Sequence, residues 1–271
     1  MYSFEEYIRE GEPNKANKAK AWKTAIGLQK VDGLDTSEYL ISTAKQNIEG
    51  DITIEDAKQQ INNYYSNLPQ KDDKKTEEAD KVSVRITEIL SNNAFSFSPV
   101  EYISIHRKLF SGIYDFAGEL RSFNISKKEW ILNGESVLYA NFESLKNSLE
   151  YDIQQEKVFN YSYLNKTEII EHLAEFLSNL WQIHAFAEGN TRTTAVFFIK
   201  YLQQLGFKDV NNNLFAENSW YFRNALVRAN YQNLNKGIHK TNKYILKFLS
   251  NLINKTDFVL KNIDLHIDNQ E

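Results

Sequence analysis

The sequence contains no cysteine, and it has only three prolines, ten glycines and one methionine in 271 residues. Without cysteine the chain forms no disulfide and offers no thiolate to a metal ion. Proline and glycine are the two residues least compatible with a helix interior, so their shortage favours long helices over a strand-and-turn architecture. We therefore expect a mainly α fold.

Long apolar runs and a strong charge of one sign are also missing. No stretch approaches the roughly 20 apolar residues that a membrane-spanning helix needs, and residues 1–10 are polar and acidic. The formal net charge of −4 gives no whole-chain signature of nucleic-acid binding. These absences predict a cytoplasmic protein that does not bind a membrane and does not bind nucleic acid directly.

Apolar residues make up 42% of the chain, which is sufficient for a large buried core. Pro69 and the charged run that follows it interrupt the helical patterns and predict a solvated linker. This linker, residues 69–75, separates an N-terminal helical segment at 1–68 from a core at 76–235. A C-terminal helix and tail are expected at 236–271.

Within the N-terminal segment, two short signals indicate where helices end and begin. Gly27 interrupts a helical stretch and is expected to break it. Thr53 is followed three residues later by Asp56, which is the spacing of a capping box at a helix N-terminus. The segment is therefore predicted to contain several short helices.

In the core, two strongly apolar segments are predicted to form helices. From Thr167 to His184 the apolar residues recur three or four positions apart, which is the spacing of a helix with one face in the core. A second helix is expected from about Thr193 to Leu205, with apolar residues on several sides. Residues 121–132 differ, since β-branched and aromatic residues alternate with polar ones there, and this pattern predicts a small β-hairpin.

The stretch that joins the two core helices, residues 184–192, has the sequence His-Ala-Phe-Ala-Glu-Gly-Asn-Thr-Arg. It precedes the N-terminus of the second helix, where free backbone N–H groups and the helix dipole favour an anion. Gly189 permits a tight turn and a close approach to a ligand. Asn190 and Arg192 add neutral and cationic donors directed at the same space.

Two further residues of this stretch suit chemistry on a phosphate. Glu188 is a hard oxygen ligand of the kind that binds magnesium together with phosphates. His184 titrates near neutral pH, so it can remove a proton from an incoming hydroxyl group. The combination predicts phosphoryl or nucleotidyl transfer, which depends on positioning and on stabilisation of charge.

The stretch resembles the motif of the Fic family, H-x-F-x-[D/E]-G-N-G-R-x-x-R. The resemblance covers about residues 76–235, and it implies a Fic-type helical bundle with a small β-hairpin flap. It also implies transfer of AMP from ATP, with Mg²⁺, to a Ser, Thr or Tyr hydroxyl of a target protein. The positions that match the motif are His184, Phe186, Glu188, Gly189, Asn190 and Arg192.

The resemblance gives each matching position a role. His184 would be the catalytic base and Glu188 the metal ligand, and the phosphate-binding residues would be Gly189, Asn190, Thr191 and Arg192. Residues 121–132 lie where the family places the flap that docks the target as an added β-strand. The docking residues would be Phe123, Asn124, Ile125, Trp130 and Ile131.

Two positions depart from the family pattern. Thr191 replaces a glycine, and Ala195 replaces the second arginine, which in the family holds the outer phosphates of ATP. Two alternatives therefore stay open beside AMP transfer. One is a Fic-fold enzyme that transfers another phosphate-containing group, and the other is a catalytically silent module that binds an extended peptide.

The N-terminal segment carries a second resemblance, to the inhibitory helix of Fic proteins, [S/T]-x-x-x-E-[G/N]. Glu49 and Gly50 match it, whereas Lys45 stands where the motif has Ser or Thr. The resemblance implies that Glu49 restrains the activity, as in toxin–antitoxin pairs. The alternative is that Glu49-Gly50 only ends a helix. The sequence gives no indication of oligomeric state.

Overall fold

Helices form most of the chain in a computed structural model, which describes residues 4–68, 74–207 and 210–269. The predicted mainly α fold is confirmed. The helices are α1 (Glu5–Glu10), α2 (Pro13–Leu28), α3 (Glu38–Glu49), α4 (Ile54–Asn67), α5 (Lys74–Ser91), α6 (Pro99–Phe110), α7 (Leu145–Val158), α8 (Lys166–Ile183), α9 (Asn190–Gln204), α10 (Asn213–Glu217), α11 (Ser219–Asn230) and α12 (Lys243–Asn254).

Side-chain caps fix where several of these helices begin. The predicted capping box at α4 is present, since the Thr53 hydroxyl accepts from the Asp56 N–H while the Asp56 carboxylate accepts from the Thr53 N–H. Helix α8 has the same device in Asn165 and Glu168. Each box satisfies N–H groups that a helix N-terminus leaves without an intrahelical partner.

The two β-strands predicted within residues 121–132 are not formed, and no strand occurs in the described ranges. Instead Trp130–Leu132 form a 3₁₀ turn, and Asn133 takes a left-handed backbone with φ of 54°. The segment is closed by the Glu129 N–H donating to the Glu135 carbonyl (3.0 Å). Because the chain turns back immediately after this turn, too few residues face each other to make a β-ladder.

The chain divides into two compact units, and the first comprises the described parts of Met1–Ala94, Lys108–Ala117 and Asn212–Ser219. Helix α2 is its centre and packs against α5 and α10. Trp22 is fully buried in a cluster whose other members include Phe4, Leu40, Ile48 and Ile61.

The expected helix break at Gly27 does not occur, because this glycine lies inside α2. A Cβ atom at Gly27 would lie 2.1 Å from the Cα of Ala216 in α10. The glycine is therefore explained by the close approach of two helix backbones rather than by a chain turn.

The second unit comprises the described parts of Phe95–Arg107, Gly118–Asn211 and Trp220–Glu271. Its core contains α8 and α9, and α9 is buried on nearly every side, as its apolar sequence predicts. Every residue from Asn190 to Leu202 is buried. This burial places the N-terminus of α9, and the loop that precedes it, inside the unit.

The predicted division into segments at 1–68, 69–75, 76–235 and 236–271 stays a prediction. Residues 69–73 of the linker lie outside the described residues, while Lys74 and Lys75 begin α5. Within the described ranges, no helix combines the length and the apolar character that crossing a bilayer requires.

Candidate active site

The loop between α8 and α9 is short because a left-handed residue stands at each end. His184 ends α8 with φ of 49°, and its N–H donates to the Trp181 carbonyl (3.1 Å). Gly189 precedes α9 with φ of 76°, a conformation that glycine adopts without steric cost. A left-handed backbone is uncommon for a residue with a side chain, and such residues are concentrated at functional sites.

The side chain of Asn190 closes this loop. Its Oδ1 accepts from the Phe186 N–H (2.9 Å), and its Nδ2 donates to the Phe186 carbonyl (2.7 Å). The amide therefore faces its own loop rather than a ligand. What Asn190 offers to an anion is its backbone position in the first turn of α9, where N–H groups lack intrahelical partners.

The ring of Phe186 anchors the loop in the core. It is fully buried and stacks on His106 of α6, with ring centroids 3.7 Å apart. His106 Nδ1 accepts from the Gly118 N–H (2.8 Å), so the proton is on Nε2, which donates to the Glu188 carbonyl (3.0 Å). Burial lowers the pKa of His106 to about 4 and keeps the ring neutral.

His106 belongs to the surroundings of the loop, although the sequence motif does not include it. No ligand spacing relates His106 to the loop, which lies about 80 residues further along the chain. The Gly118 N–H orients the His106 ring, and no local pattern in the sequence relates these two residues to the loop.

The imidazole of His184 is enclosed, with only 3% of the residue exposed. The ring of Tyr139 lies 4.1 Å away, and the indole of Trp181 meets it edge-on at 5.2 Å. Neither ring nitrogen has a hydrogen-bond partner among the described residues.

Electrostatics also favour a neutral His184. Burial, followed by the positive charge of Lys127, lowers the pKa of His184 well below its usual value. The charges of Arg223 and Arg121 act in the same direction. The ring is therefore unprotonated at neutral pH, which is the form that can accept a proton.

Arg121 ties the His184 loop to the segments beside it. Its guanidinium donates to the carbonyls of His184 (2.8 Å), Phe123 (2.7 Å) and Ala140 (2.5 Å), and its own N–H donates to the Ala185 carbonyl (2.9 Å). The side chain is buried, and burial lowers its pKa. A buried arginine with several carbonyl acceptors fixes the backbone on both sides of the imidazole.

The carboxylate of Glu188 is half exposed and forms an ion pair with Lys127, with Oε2 and Nζ 2.9 Å apart. Within residues 4–68, 74–207 and 210–269, no group of three or more His, Asp or Glu side chains is placed to hold a metal ion. Magnesium commonly binds through one or two carboxylates together with substrate phosphates and water. Glu188 fits a magnesium ion that arrives with a nucleotide.

Thr191 and Arg192 lie in the first turn of α9. The Thr191 hydroxyl accepts from the Trp181 indole N–H (3.0 Å), and its backbone is helical, so the replacement of the motif glycine introduces no left-handed strain. Arg192 is buried at the same turn. Ala195 is buried one turn further along α9 and supplies no charge.

The structure separates the five predicted docking residues into two groups. Phe123 and Trp130 are about half exposed, at 52% and 45%, and Asn124 and Ile125 also reach the surface. Ile131 is fully buried and is not available to a docked target. The surface of this segment therefore presents two large aromatic side chains.

Glu49 lies at the end of α3, in the other compact unit from the 184–192 loop. Its carboxylate pairs with Lys15 Nζ (2.7 Å), and its hydrogen bond to Tyr7 raises the pKa of that phenol to about 12. Gly50 ends the helix with φ of 93°. The predicted helix stop is present, while the inhibitory role of Glu49 stays a prediction.

Known proteins share the region that contains the loop. Residues 96–202 match the Fic/DOC family. Three bacterial relatives are each 27% identical to the chain: protein adenylyltransferase VbhT of Bartonella schoenbuchensis over 103 residues, probable protein adenylyltransferase y4lH of Sinorhizobium fredii over 150 residues, and probable protein adenylyltransferase Fic of Escherichia coli over 107 residues.

These similarities cover only part of the proteins compared. The matched regions are 38%, 54% and 39% of this chain, in the same order. The chain spans 20% of the length of VbhT, 70% of y4lH and 50% of the Escherichia coli protein. The range that matches the family, residues 96–202, includes the loop at 184–192.

Proposed function

We propose that this chain, whose residues 96–202 match the Fic/DOC family, transfers AMP from ATP to a hydroxyl side chain of a target protein. The support for a Fic-type transferase is the family match together with relatives named adenylyltransferases. The observation that supports attack by a hydroxyl group is the neutral imidazole of His184, whose ring nitrogens have no hydrogen-bond partner among the described residues.

In the proposed reaction the target hydroxyl attacks the α-phosphorus of ATP. A bond forms between the hydroxyl oxygen and that phosphorus, the bond to the bridging oxygen breaks, and pyrophosphate leaves. His184 takes the proton of the hydroxyl. The N-terminus of α9 and Arg192 hold the negative charge of the phosphates.

Magnesium, when bound, neutralises phosphate charge, and Glu188 is the residue that would hold it. The exposed carboxylate and the absence of a strained backbone at Thr191 both suit a loop that accepts a nucleotide with its metal. Asn190 and His106 keep the loop in shape from inside, since each is bonded to loop backbone.

The test is labelling of candidate target proteins with ATP that carries a label on its α-phosphate, in the presence of Mg²⁺. The protein alone is included to detect self-modification. We expect wild type to label, and His184→Ala and Glu188→Gln to lose at least about 100-fold, the usual contribution of a general base. The matched control is His239→Ala, because His239 is exposed and lies outside the loop. Equal labelling by wild type and His184→Ala would refute the assignment.

A second candidate is transfer of a different phosphate-containing group, and the observation that favours it is Ala195. Helix α9 contains only two cationic residues, Arg192 in its first turn and Lys200 near its end. It therefore lacks the second arginine that, in the family motif, holds the outer phosphates of ATP. Intact-mass measurement of the modified product decides between the two. An added mass equal to AMP supports the first proposal and excludes the second.

A further inference from the structure

Lys127 occupies a defined place at the loop rather than a solvated turn. Its ammonium group pairs with Glu188 at 2.9 Å, and its backbone N–H donates to the Ser136 hydroxyl at 3.0 Å. The side chain is 28% exposed, against 55% for Glu188. Lys127 is thus held at both ends, with its charge next to the carboxylate assigned to the metal.

The ammonium also lies within electrostatic reach of His184. After burial, the charge of Lys127 is the largest cause of the lowered His184 pKa. One cation is therefore close to both groups that the proposed reaction uses, the base and the metal ligand. The phosphates of a nucleotide bound beside these two groups would lie within reach of this ammonium group.

The other two cations near His184 are already engaged in structural bonds. The Arg121 guanidinium donates to several backbone carbonyls, including that of His184. Arg223 forms a two-point ion pair with the buried Glu129, at 2.6 and 2.8 Å. Removing either from its partners would leave a buried group without its bonds, which is costly. Lys127 differs, because its partner Glu188 is exposed and separating the two leaves no buried group without its bonds.

We propose that Lys127 is a phosphate-binding residue of the nucleotide site, and that it exchanges Glu188 for the outer phosphates when a divalent cation binds Glu188. The proposal rests on the proposed function, since it requires ATP in this loop. The phosphates assigned to Lys127 are the β- and γ-phosphates. The α-phosphate is the one that Arg192 and the N-terminus of α9 are expected to hold.

The exchange follows from the chemistry of the two partners. Without metal, the ammonium and the carboxylate neutralise each other at the surface. The Glu188 carboxylate would be a ligand of magnesium, because hard cations prefer oxygen donors. The ammonium, with three donors and no remaining acceptor, then binds phosphate oxygens through charge-assisted hydrogen bonds.

The experiment measures ATP and AMP binding to the full chain by calorimetry with Mg²⁺, using direct titration for ATP and competition for AMP. The variants are Lys127→Gln, which removes the charge but keeps most of the side chain, and Lys127→Arg, which keeps the charge. Lys128→Gln is the matched control, because it removes an exposed neighbouring charge. Thermal melting of each variant confirms that it is folded.

We expect Lys127→Gln to weaken ATP binding about 10-fold or more, as loss of a charge-assisted hydrogen bond predicts, with AMP binding unchanged within about twofold. Lys127→Arg and Lys128→Gln should bind ATP like wild type. Equal ATP binding by wild type and Lys127→Gln, or an equal loss for ATP and AMP, overturns the assignment of Lys127 but not the proposed function. If wild type binds neither nucleotide, the proposed function itself fails.

Discussion

Some side chains at the loop bond to its backbone and maintain its conformation, whereas others are available to a ligand. Asn190 closes the loop with two bonds to Phe186, and His106 supports Glu188 through the carbonyl. Neither side chain is free to bind a phosphate without breaking those bonds. The side-chain groups that the proposed reaction uses are the His184 imidazole, the Glu188 carboxylate, the Arg192 guanidinium and the nearby ammonium of Lys127.

The buried imidazole of His184 makes stability depend on pH. The folded state keeps this ring neutral, whereas the unfolded chain binds a proton below pH 6.5. The unfolded state therefore gains protons as the pH falls, and the free energy of unfolding decreases. His184 should contribute a loss of about 2 kcal/mol between pH 7.5 and pH 5.0.

Urea unfolding at pH 7.5 and 5.0 measures this loss for wild type and for His184→Asn, which does not titrate and tolerates a left-handed backbone. We expect the variant to lose less stability on acidification by about that amount. It should retain a loss of about the same size from His106, whose pKa is also lowered, to about 4. The exposed His239→Asn is the control and should follow wild type. An identical pH dependence for wild type and His184→Asn would contradict a neutral buried ring.

Sequence patterns placed the candidate residues together in one loop, but they did not predict the directions of the side chains. The motif placed His184, Glu188 and Arg192 within nine residues, so their proximity followed from the short connection between two helices. The orientation of Asn190 and the burial of His184 depend on packing by Phe186 and Tyr139. Tyr139 lies 45 residues before His184, and no local pattern relates the two.

At the scale of helices, the N-terminus of α9 shows how a departure from the family motif is accommodated. Thr191 is helical, and its hydroxyl accepts from the indole of Trp181, which in turn packs edge-on against His184. The threonine thus links α8 to α9 directly behind the imidazole. A glycine at this position would provide neither the bond nor the helix propensity.

Thr191→Gly should lower the free energy of unfolding by about 2 kcal/mol. The buried Trp181 N–H loses its acceptor, and glycine adds conformational entropy to the unfolded chain. Thr191→Ser keeps the hydroxyl, and it should cost about 1 kcal/mol or less. Urea unfolding followed by tryptophan fluorescence measures both. If the two variants are equally stable, the hydroxyl bond contributes nothing to the helix junction.

The sequence predicted α8 and α9 because both apolar segments are longer than a typical strand, and the α8 segment also has a helical period. It failed at residues 121–132, where alternation suggested strands but the chain forms a turn at Trp130–Leu132. Ile131 is buried by this turn rather than displayed along an edge. It also failed at Gly27, because a close approach between α2 and α10 is a contact across more than 180 residues of sequence.

At the scale of the whole molecule, the residue proposed to inhibit the reaction and the residues proposed to perform it belong to different compact units. His184 and Glu188 belong to one unit, and Glu49, at the end of α3, belongs to the other. Glu49 is exposed enough to be replaced without disturbing a core, since its ion pair with Lys15 is more than one-third exposed on both sides. Such a surface pair contributes little to stability. An effect of Glu49 on activity can therefore be measured apart from folding.

We propose that the Glu49 carboxylate restrains AMP transfer, as the resemblance to the inhibitory motif implies. Glu49→Gly and Glu49→Gln should both increase labelling by ATP severalfold, because both remove the negative charge. Lys15→Gln is the matched control: it breaks the same ion pair but leaves the carboxylate, so labelling should not rise. Melting temperatures should change by only a few degrees in all three, as expected for a pair of this exposure.

Unchanged labelling in Glu49→Gln would refute the inhibitory role. An increase confined to Glu49→Gly, together with a lower melting temperature, would assign the effect to a frayed end of α3, where Gly50 already terminates the helix.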